Sequence, residues 1–334
     1  MKLVTFVDTT GRQRIGALMK DGTSIAALQA GEEVMAGGVS PYFVEMLSFL
    51  RGGMPALTRA KEVMEYIEQH RPKEAMTTLE TVSLMAPVPV PESIRDAMCF
   101  EEHIVNIIRV VGLKKLAFLD EWIEKLFGRK RSLAYLLNKT WYERPIYYKG
   151  NRHSAVGTNA DIRMPVYAKD LDFELEFGIY IGKEGVNIPR EDAHEYIGGY
   201  TIFNDFSVRD IQLKEQSGRL GPAKGKDFDT GNAFGPFLVT PDEVQDPNSL
   251  TMAARVNGAE WSRGSSGDMH WKFADLIAYI SQSETLYPGD FIGSGTCSGV
   301  NGRGCGLEMG KSLNSGDVIE LEVQGLGILR NKIV

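Results

Sequence analysis

The sequence predicts an α+β fold that is mainly β, on three observations. Residues 171–181 alternate strictly, with Phe173, Leu175, Phe177, Ile179 and Ile181 on one side and Asp172, Glu174, Glu176, Gly178 and Tyr180 on the other, which is the period of a strand. Turn signals recur through the second half. Val256-Asn257-Gly258 lies between two short strand-like runs, and Pro288-Gly289-Asp290 and Ser315-Gly316-Asp317 each precede apolar runs, as hairpins and tight turns require. Finally, no regular strand–helix–strand alternation and no internal repeat runs along the chain, which argues against a doubly wound parallel sheet.

Taken in order, residues 3–7, 13–19 and 24–28 read as short strands separated by turn residues, followed by helices near 41–51 and 57–69. Met85-Ala-Pro-Val-Pro-Val-Pro-Glu92 places prolines at alternate positions, and proline fixes an extended, semi-rigid connector. The expected organisation is a small N-terminal α+β domain (1–85), a proline-rich linker (86–92) and a main domain (93–334). Apolar positions 104, 107, 108 and 111, then Leu116, Leu119, Trp122, Ile123 and Leu126, keep helical spacing. They mark a helical insert at about 101–140 that reads as a lid, a contact between subunits, or a plain packed helix pair. Further helices are expected near 190–197, 206–213 and 271–282.

The 334 residues suit one large domain or two, and 43% hydrophobic with 24% charged residues is ordinary for a soluble globular protein. A net charge of −7 without a basic tract argues against a nucleic-acid partner; the run from Lys125 to Arg131 is too short to alter that and reads as a solvated helix end. Cys99, Cys297 and Cys305 have no C-x-x-C spacing, which fits reduced thiols and neither a disulfide framework nor a structural zinc site. The N-terminus lacks an apolar signal core and no 18-residue apolar run occurs, so the expectation is a soluble cytoplasmic protein with no membrane partner.

Residues i and i+2 of a strand point the same way, so Glu174 and Glu176 lie side by side. They form either an exposed acidic edge or half of a cation site. Asp205 ends the apolar run Gly199-Tyr-Thr-Ile-Phe-Asn-Asp205 and reads as a helix N-cap or a third carboxylate. Asp96 precedes the first insert helix, and His103 lies within that helix. If Asp96, Glu174, Glu176 and Asp205 converge, each pair about 5 Å apart repels by roughly 3 kcal/mol at an effective dielectric near 20. Their sum, on the order of 20 kcal/mol, exceeds the ~5–15 kcal/mol stability of a typical domain. Such a cluster must protonate, separate or bind a cation, and hard oxygen ligands favour Mg²⁺, Ca²⁺ or Mn²⁺ over zinc. His103 alone resembles any helix histidine. Lys226 and Thr230 lie in the glycine-bearing segment Gly225-Lys-Asp-Phe-Asp-Thr230, and residues 293–306 are glycine-dense. That stretch is not a phosphate loop, but it suits close backbone approach to a ligand or tight turns. Glu308 follows it.

Over roughly residues 86–334 these pieces, in this order, resemble the fumarylacetoacetate hydrolase family. The motifs are Arg95-Asp96 with His103 seven residues after the Asp, Asp172-Phe-Glu-Leu-Glu176, Gly199 to Gln212, Gly225 to Thr230, Leu286 to Thr296 and Gly325 to Asn331. The resemblance implies a mixed β-roll or sandwich holding one divalent cation at Asp96, Glu174, Glu176 and Asp205, Mg²⁺ first, with Mn²⁺ or Ca²⁺ as alternatives. It implies that His103 and Glu308 activate water, that Gln212 and Lys226 bind substrate and stabilise an oxyanion, and that Tyr148, Thr230 and Thr296 lie near the ligand. A homodimer is expected. Fumarylacetoacetase itself has a Tyr where this chain has Met98, and an Arg where it has Gly112, with Arg109 about one turn earlier as the available substitute. The expected activity is hydrolytic cleavage of a C–C bond in a β-diketone or acylpyruvate-type 2-oxo acid, the cation supporting the enolate. An isomerase, decarboxylase or dehydratase using the same site, or a non-catalytic binding homologue, are the alternatives.

Overall fold

A computed structural model describes residues 1–299 and 303–334; Val300, Asn301 and Gly302, inside the glycine-dense stretch, lie outside the described residues. The fold is mixed α and β. Its main sheet runs in the order Met76–Thr78, Ser24–Ala27, Gln13–Leu18, Lys2–Val7, Asn232–Val239, Ile197–Asp205, Glu176–Ile181, Asp290–Gly293, Ser93–Ala97 and Tyr147–Gly150. Most pairs are antiparallel, but Asp290–Gly293 runs parallel to Ser93–Ala97. A second sheet, ordered Ala259–Ser265, Thr251–Val256, Val318–Val323, Gly327–Ile333 and Asp161–Ile162, packs against the first.

The alternation at 171–181 is real, and both of its faces are buried. Phe177, Ile179 and Ile181 join the core shared with the second sheet. Tyr180 points the other way, into a core with Phe203, Phe234, Phe291 and the N-terminal helix. Phe203, Phe234 and Phe291 meet with ring centroids 4.8–5.0 Å apart, in offset or edge-on arrangements that aromatic pairs favour. Glu174 and Glu176 are 4% and 0% exposed, so the reading as an exposed acidic edge is overturned.

The predicted strand is interrupted. Leu171–Asp172 pairs with Ser207–Val208, and the long ladder resumes only at Glu176. Between them the chain bonds sideways: Glu174 N–H donates to Asn204 Oδ1 (3.0 Å), and Leu175 exchanges backbone bonds with Gly304 and Cys297. Residues 1–85 share a core with Tyr180, Phe203, Phe234 and Phe291 of the main domain, and Lys2–Val7 pairs with Asn232–Val239, so the N-terminal strands extend the main sheet. The two helices expected near 41–51 and 57–69 are one element, Met46–His70, kinked where Gly53 takes φ 54° and ψ −138° two residues before Pro55. A helix at Leu28–Ala36 directly follows the strand Ser24–Ala27, too close behind it to be read separately. The helix expected near 190–197 shrinks to a single turn, Ala193–Tyr196. Among the described residues no helix is long and apolar enough to cross a membrane.

The insert comprises Glu101–Ile107, a widened π turn Ile108–Leu113, then Ala117–Phe127, Leu133–Leu137 and Lys139–Glu143. Its second helix is turned inside out. Asp120 is fully buried while Phe118 is 80% exposed and Leu119, Trp122, Leu126 and Phe127 are also exposed. Asp120 accepts from Arg109 Nε (2.9 Å) and from the backbone N–H groups of Leu133 and Ala134. The periodicity identified an amphipathic helix but not which side faces inward: the charged stripe does, with Asp120 and Glu124 pairing with Arg109 and Arg129.

Candidate active site

Strand ends build the site. Asp96 sits one residue from the end of Ser93–Ala97, opposite Gly293 in the parallel pair. A Cβ at Gly293 would fall 2.3 Å from Asp96 Oδ1, so glycine is what admits the carboxylate there. Glu176 opens its strand, and Asp205 closes the neighbouring one two residues beyond Phe203, the partner of Glu176. Glu174 reaches the same place from the irregular stretch before the strand. The four carboxylates each offer an oxygen within 4.8 Å of the others, and all are buried.

Their electrostatics are unbalanced. Burial, then the neighbouring Asp205 carboxylate, pushes the Asp96 carboxyl well above its ordinary range. Burial and the Asp96 and Glu174 charges do the same to Glu176. Asp205 is raised to about 6, by burial partly offset by Lys226. For Glu174, burial alone would raise the pKa, but Lys226 and Arg209 outweigh it and hold the carboxylate below its ordinary range. Lys226 Nζ lies 2.7 Å from Glu174 Oε2 and 2.5 Å from Asp205 Oδ2. Both oxygens of Glu176 and Oδ1 of Asp205 are buried without any hydrogen-bond partner among the described residues. Orphaned buried acceptors are costly, and these three point to a cationic guest.

Two residues that the sequence reading missed complete the neighbourhood. Arg209, fully buried, donates from Nε to Asp172 (2.7 Å) and from Nη1 to Gln212 Oε1 (2.8 Å), and pairs with Glu174 (2.8 Å). Asp172, expected to share a face with Glu174 and Glu176, is instead drawn aside by the strand break. It accepts from Arg209 and from the backbone N–H groups of Gly306 (2.6 Å) and Leu307 (2.9 Å). Five buried acids against the two buried cations Arg209 and Lys226 leave an excess of three negative charges when all are ionised. A divalent cation would remove most of that excess. The donor set, all carboxylate oxygen, suits Mg²⁺ or Mn²⁺.

His103 and Glu308 meet beside the quartet through Nδ1 and Oε1. Glu308 also accepts from Ser298 Oγ (2.6 Å) and Asn106 Nδ2 (3.1 Å), which fixes its carboxylate. A cavity of about 210 Å³ opens onto this group, lined by Asp96, His103, Glu174, Gln212, Lys226 and Thr296, with Met98 and Tyr148 at its wall. The Tyr148 hydroxyl donates to Asp205. A larger cavity, about 930 Å³, lies between Met46–His70 and the main sheet. Its cations are paired, Lys61 with Asp242, Arg51 with Glu92 and Lys183 with Glu195, and neither the carboxylate quartet nor the His103–Glu308 pair belongs to its lining.

Two expected ligand contacts do not reach the cavity. Arg109 is taken up by Asp120 and Glu124 inside the insert; with both acids one helix away, the guanidinium is committed before any substrate arrives. Thr230 sits in a left-handed turn at φ 79°, and its Oγ accepts from the Arg163 N–H (3.0 Å), outside the cavity lining.

A model of the fumarylacetoacetate (FAA) hydrolase C-terminal domain matches residues 130–334. The chain belongs to the fumarylacetoacetate hydrolase family. Within this family it is similar to the mitochondrial oxaloacetate tautomerase fahd2 of Xenopus laevis, 32% identical over 100% of this chain and 90% of that protein. Among solved structures it shares its fold with a fumarylacetoacetate hydrolase from Exiguobacterium antarcticum (24% identity, TM-score 0.72, 100% of this chain and 99% of that one). It shares the fold also with a maleylpyruvate hydrolase from Sphingobium sp. SYK-6 in complex with manganese(II) and pyruvate (22% identity, TM-score 0.68, 100% and 99%).

Proposed function

We propose that this chain catalyses proton transfer on a small 2-oxo acid at a divalent-cation site, with keto–enol tautomerisation of an oxaloacetate-like dicarboxylate as its reaction. The observation that carries this is the His103–Glu308 pair facing, across a cavity of only about 210 Å³, a carboxylate quartet in which three oxygens, both of Glu176 and Oδ1 of Asp205, lack partners among the described residues. The Xenopus relative, an oxaloacetate tautomerase by name and similar over the whole chain, supports the same choice. A cation held by Asp96, Glu174, Glu176 and Asp205 would supply the Lewis acid that polarises the 2-oxo group.

The chain's own residues then move the proton. Glu308, accepting from His103 Nδ1–H, fixes the imidazole tautomer and leaves the lone pair on Nε2. Nε2 removes the proton from the carbon next to the oxo group, an effect worth ~10²–10⁴-fold, and Glu308 stabilises the imidazolium that results. The imidazolium returns the proton to the oxygen. Lys226 offsets the charge that develops on that oxygen. Gln212 spends its carbonyl on Arg209, so its amide N–H groups remain to donate to substrate.

Hydrolysis of an acylpyruvate is the second reading: a Glu-oriented histidine equally activates water, and the maleylpyruvate hydrolase shares the fold. Product analysis of the Mg²⁺-supplied protein separates them. Accelerated enol-to-keto conversion of oxaloacetate supports the first; two carbon fragments from acylpyruvates support the second. No acceleration of either would overturn the proposal.

A further inference from the structure

We propose that His103, Cys305 and Glu308 form a second, sulfur-containing metal site that takes a soft divalent ion such as Zn²⁺ and, when filled, silences the proton-transfer pair. His103, Cys305 and Glu308 each present a ligand atom within 4.8 Å of the other two, and all three are buried. Cys305 caps the short helix Gly306–Met309 and Glu308 lies three residues on, so both side chains project from one side of the same turn. That turn is rigid. Asp172 accepts from its first two N–H groups, and a Cβ on Gly306 would lie 2.3 Å from the Lys311 carbonyl. Ser298 and Asn106 orient the Glu308 carboxylate, the kind of outer support that metal ligands usually receive.

The donor chemistry differs from that of the quartet. Thiolate, imidazole and one carboxylate suit zinc, and three protein ligands with an open fourth position match a zinc centre that retains a water. Four carboxylates suit Mg²⁺. A hard site and a soft site thus lie side by side: Cys305 and Glu308 are buried, and His103, which lines the cavity, gives an ion access to the second. On binding, Cys305 loses its thiol proton to solvent, and the ion takes His103 through Nδ1, the atom that faces Glu308, whose proton moves to Nε2 and so removes the lone pair that proton transfer needs. Only this loss of turnover rests on the function proposed above; the binding does not.

Co²⁺ added to Mg²⁺-saturated protein tests the site, because thiolate-to-cobalt charge-transfer absorption in the near ultraviolet arises only from a cysteine ligand. The band is expected in the wild type, displaced by Zn²⁺, retained in Cys99→Ser and Cys297→Ser, and lost in Cys305→Ser. Cys305→Ala, checked by thermal melting, serves if the serine variant does not fold. Zn²⁺ at half-inhibition, measured against each protein's own Mg²⁺-supported rate, is expected to rise by roughly 10–100-fold or more in Cys305→Ser. No band in folded wild-type protein, or a band that survives Cys305→Ser, overturns the site and leaves the tautomerase reading standing. A Cys305-dependent band in a protein that turns over no 2-oxo acid supports the site and removes the reading instead.

Discussion

Asp120 in the helical insert and Glu176 in the main sheet are equally buried, each 0% exposed, and they have opposite surroundings. Asp120 is complete: Arg109 and two backbone N–H groups supply its donors. Among the described residues Glu176 has no hydrogen-bond partner on either oxygen, and three more carboxylates stand beside it. Burial of an acid is therefore not by itself a functional signal in this molecule. A buried acid with its partners in place holds structure together, whereas one without them is paid for by folding elsewhere and awaits a ligand.

Substitutions can break this contrast. The largest effect belongs to the pair beside the quartet: His103→Gln should lower turnover by ~10²–10⁴-fold with divalent-ion binding at the quartet retained, as steady-state rates and a binding titration would show. Next, Asp120→Ala removes one of the two acids that hold Arg109 and leaves the Leu133 and Ala134 N–H groups without their acceptor, and should cost about 3–5 kcal/mol in urea unfolding. Glu176→Gln should do the reverse in chelator-treated protein, raising stability by roughly 1–3 kcal/mol because it removes a charge from a repelling group.

The same contrast has a pH signature. Asp96, Glu176 and Asp205 have folded pKa values raised above their unfolded ones, Asp205 to about 6, so the folded state binds more protons than the unfolded state. Their contribution is fully present below the unfolded carboxylate range and is lost as pH rises through about 6 and beyond. Chelated protein should therefore lose stability over that window, and Mg²⁺ should flatten the slope. Smallest of all, Phe118→Ser on the exposed side of the insert should change stability by no more than about 0.5 kcal/mol.

Much of this site was legible because its signals are local or ordered. Period-two alternation put Glu174 and Glu176 together, and motif order supplied Asp96, His103, Asp205 and Glu308. Arg209 escaped because its partner Asp172 is 37 residues away and no short pattern joins them. Asp172 was misplaced because alternation cannot show that a ladder breaks at 173–175, where side-chain and loop groups take over the backbone bonds. Arg109 was assigned to substrate for want of knowing that Asp120 and Glu124 face inward, since helical periodicity is silent about which stripe meets the protein. Cys305 and Glu308, three residues apart, carry a signal only once His103 is seen to lie against them.

Mn²⁺ binding to chelator-treated protein, followed by electron paramagnetic resonance in the wild type and in Glu176→Gln, tests the carboxylate quartet most directly. The expected result is one tightly bound Mn²⁺ per chain in the wild type and an affinity lower by at least roughly 10–100-fold in the variant. Absence of binding, or binding that Glu176→Gln leaves unchanged, would contradict the assignment.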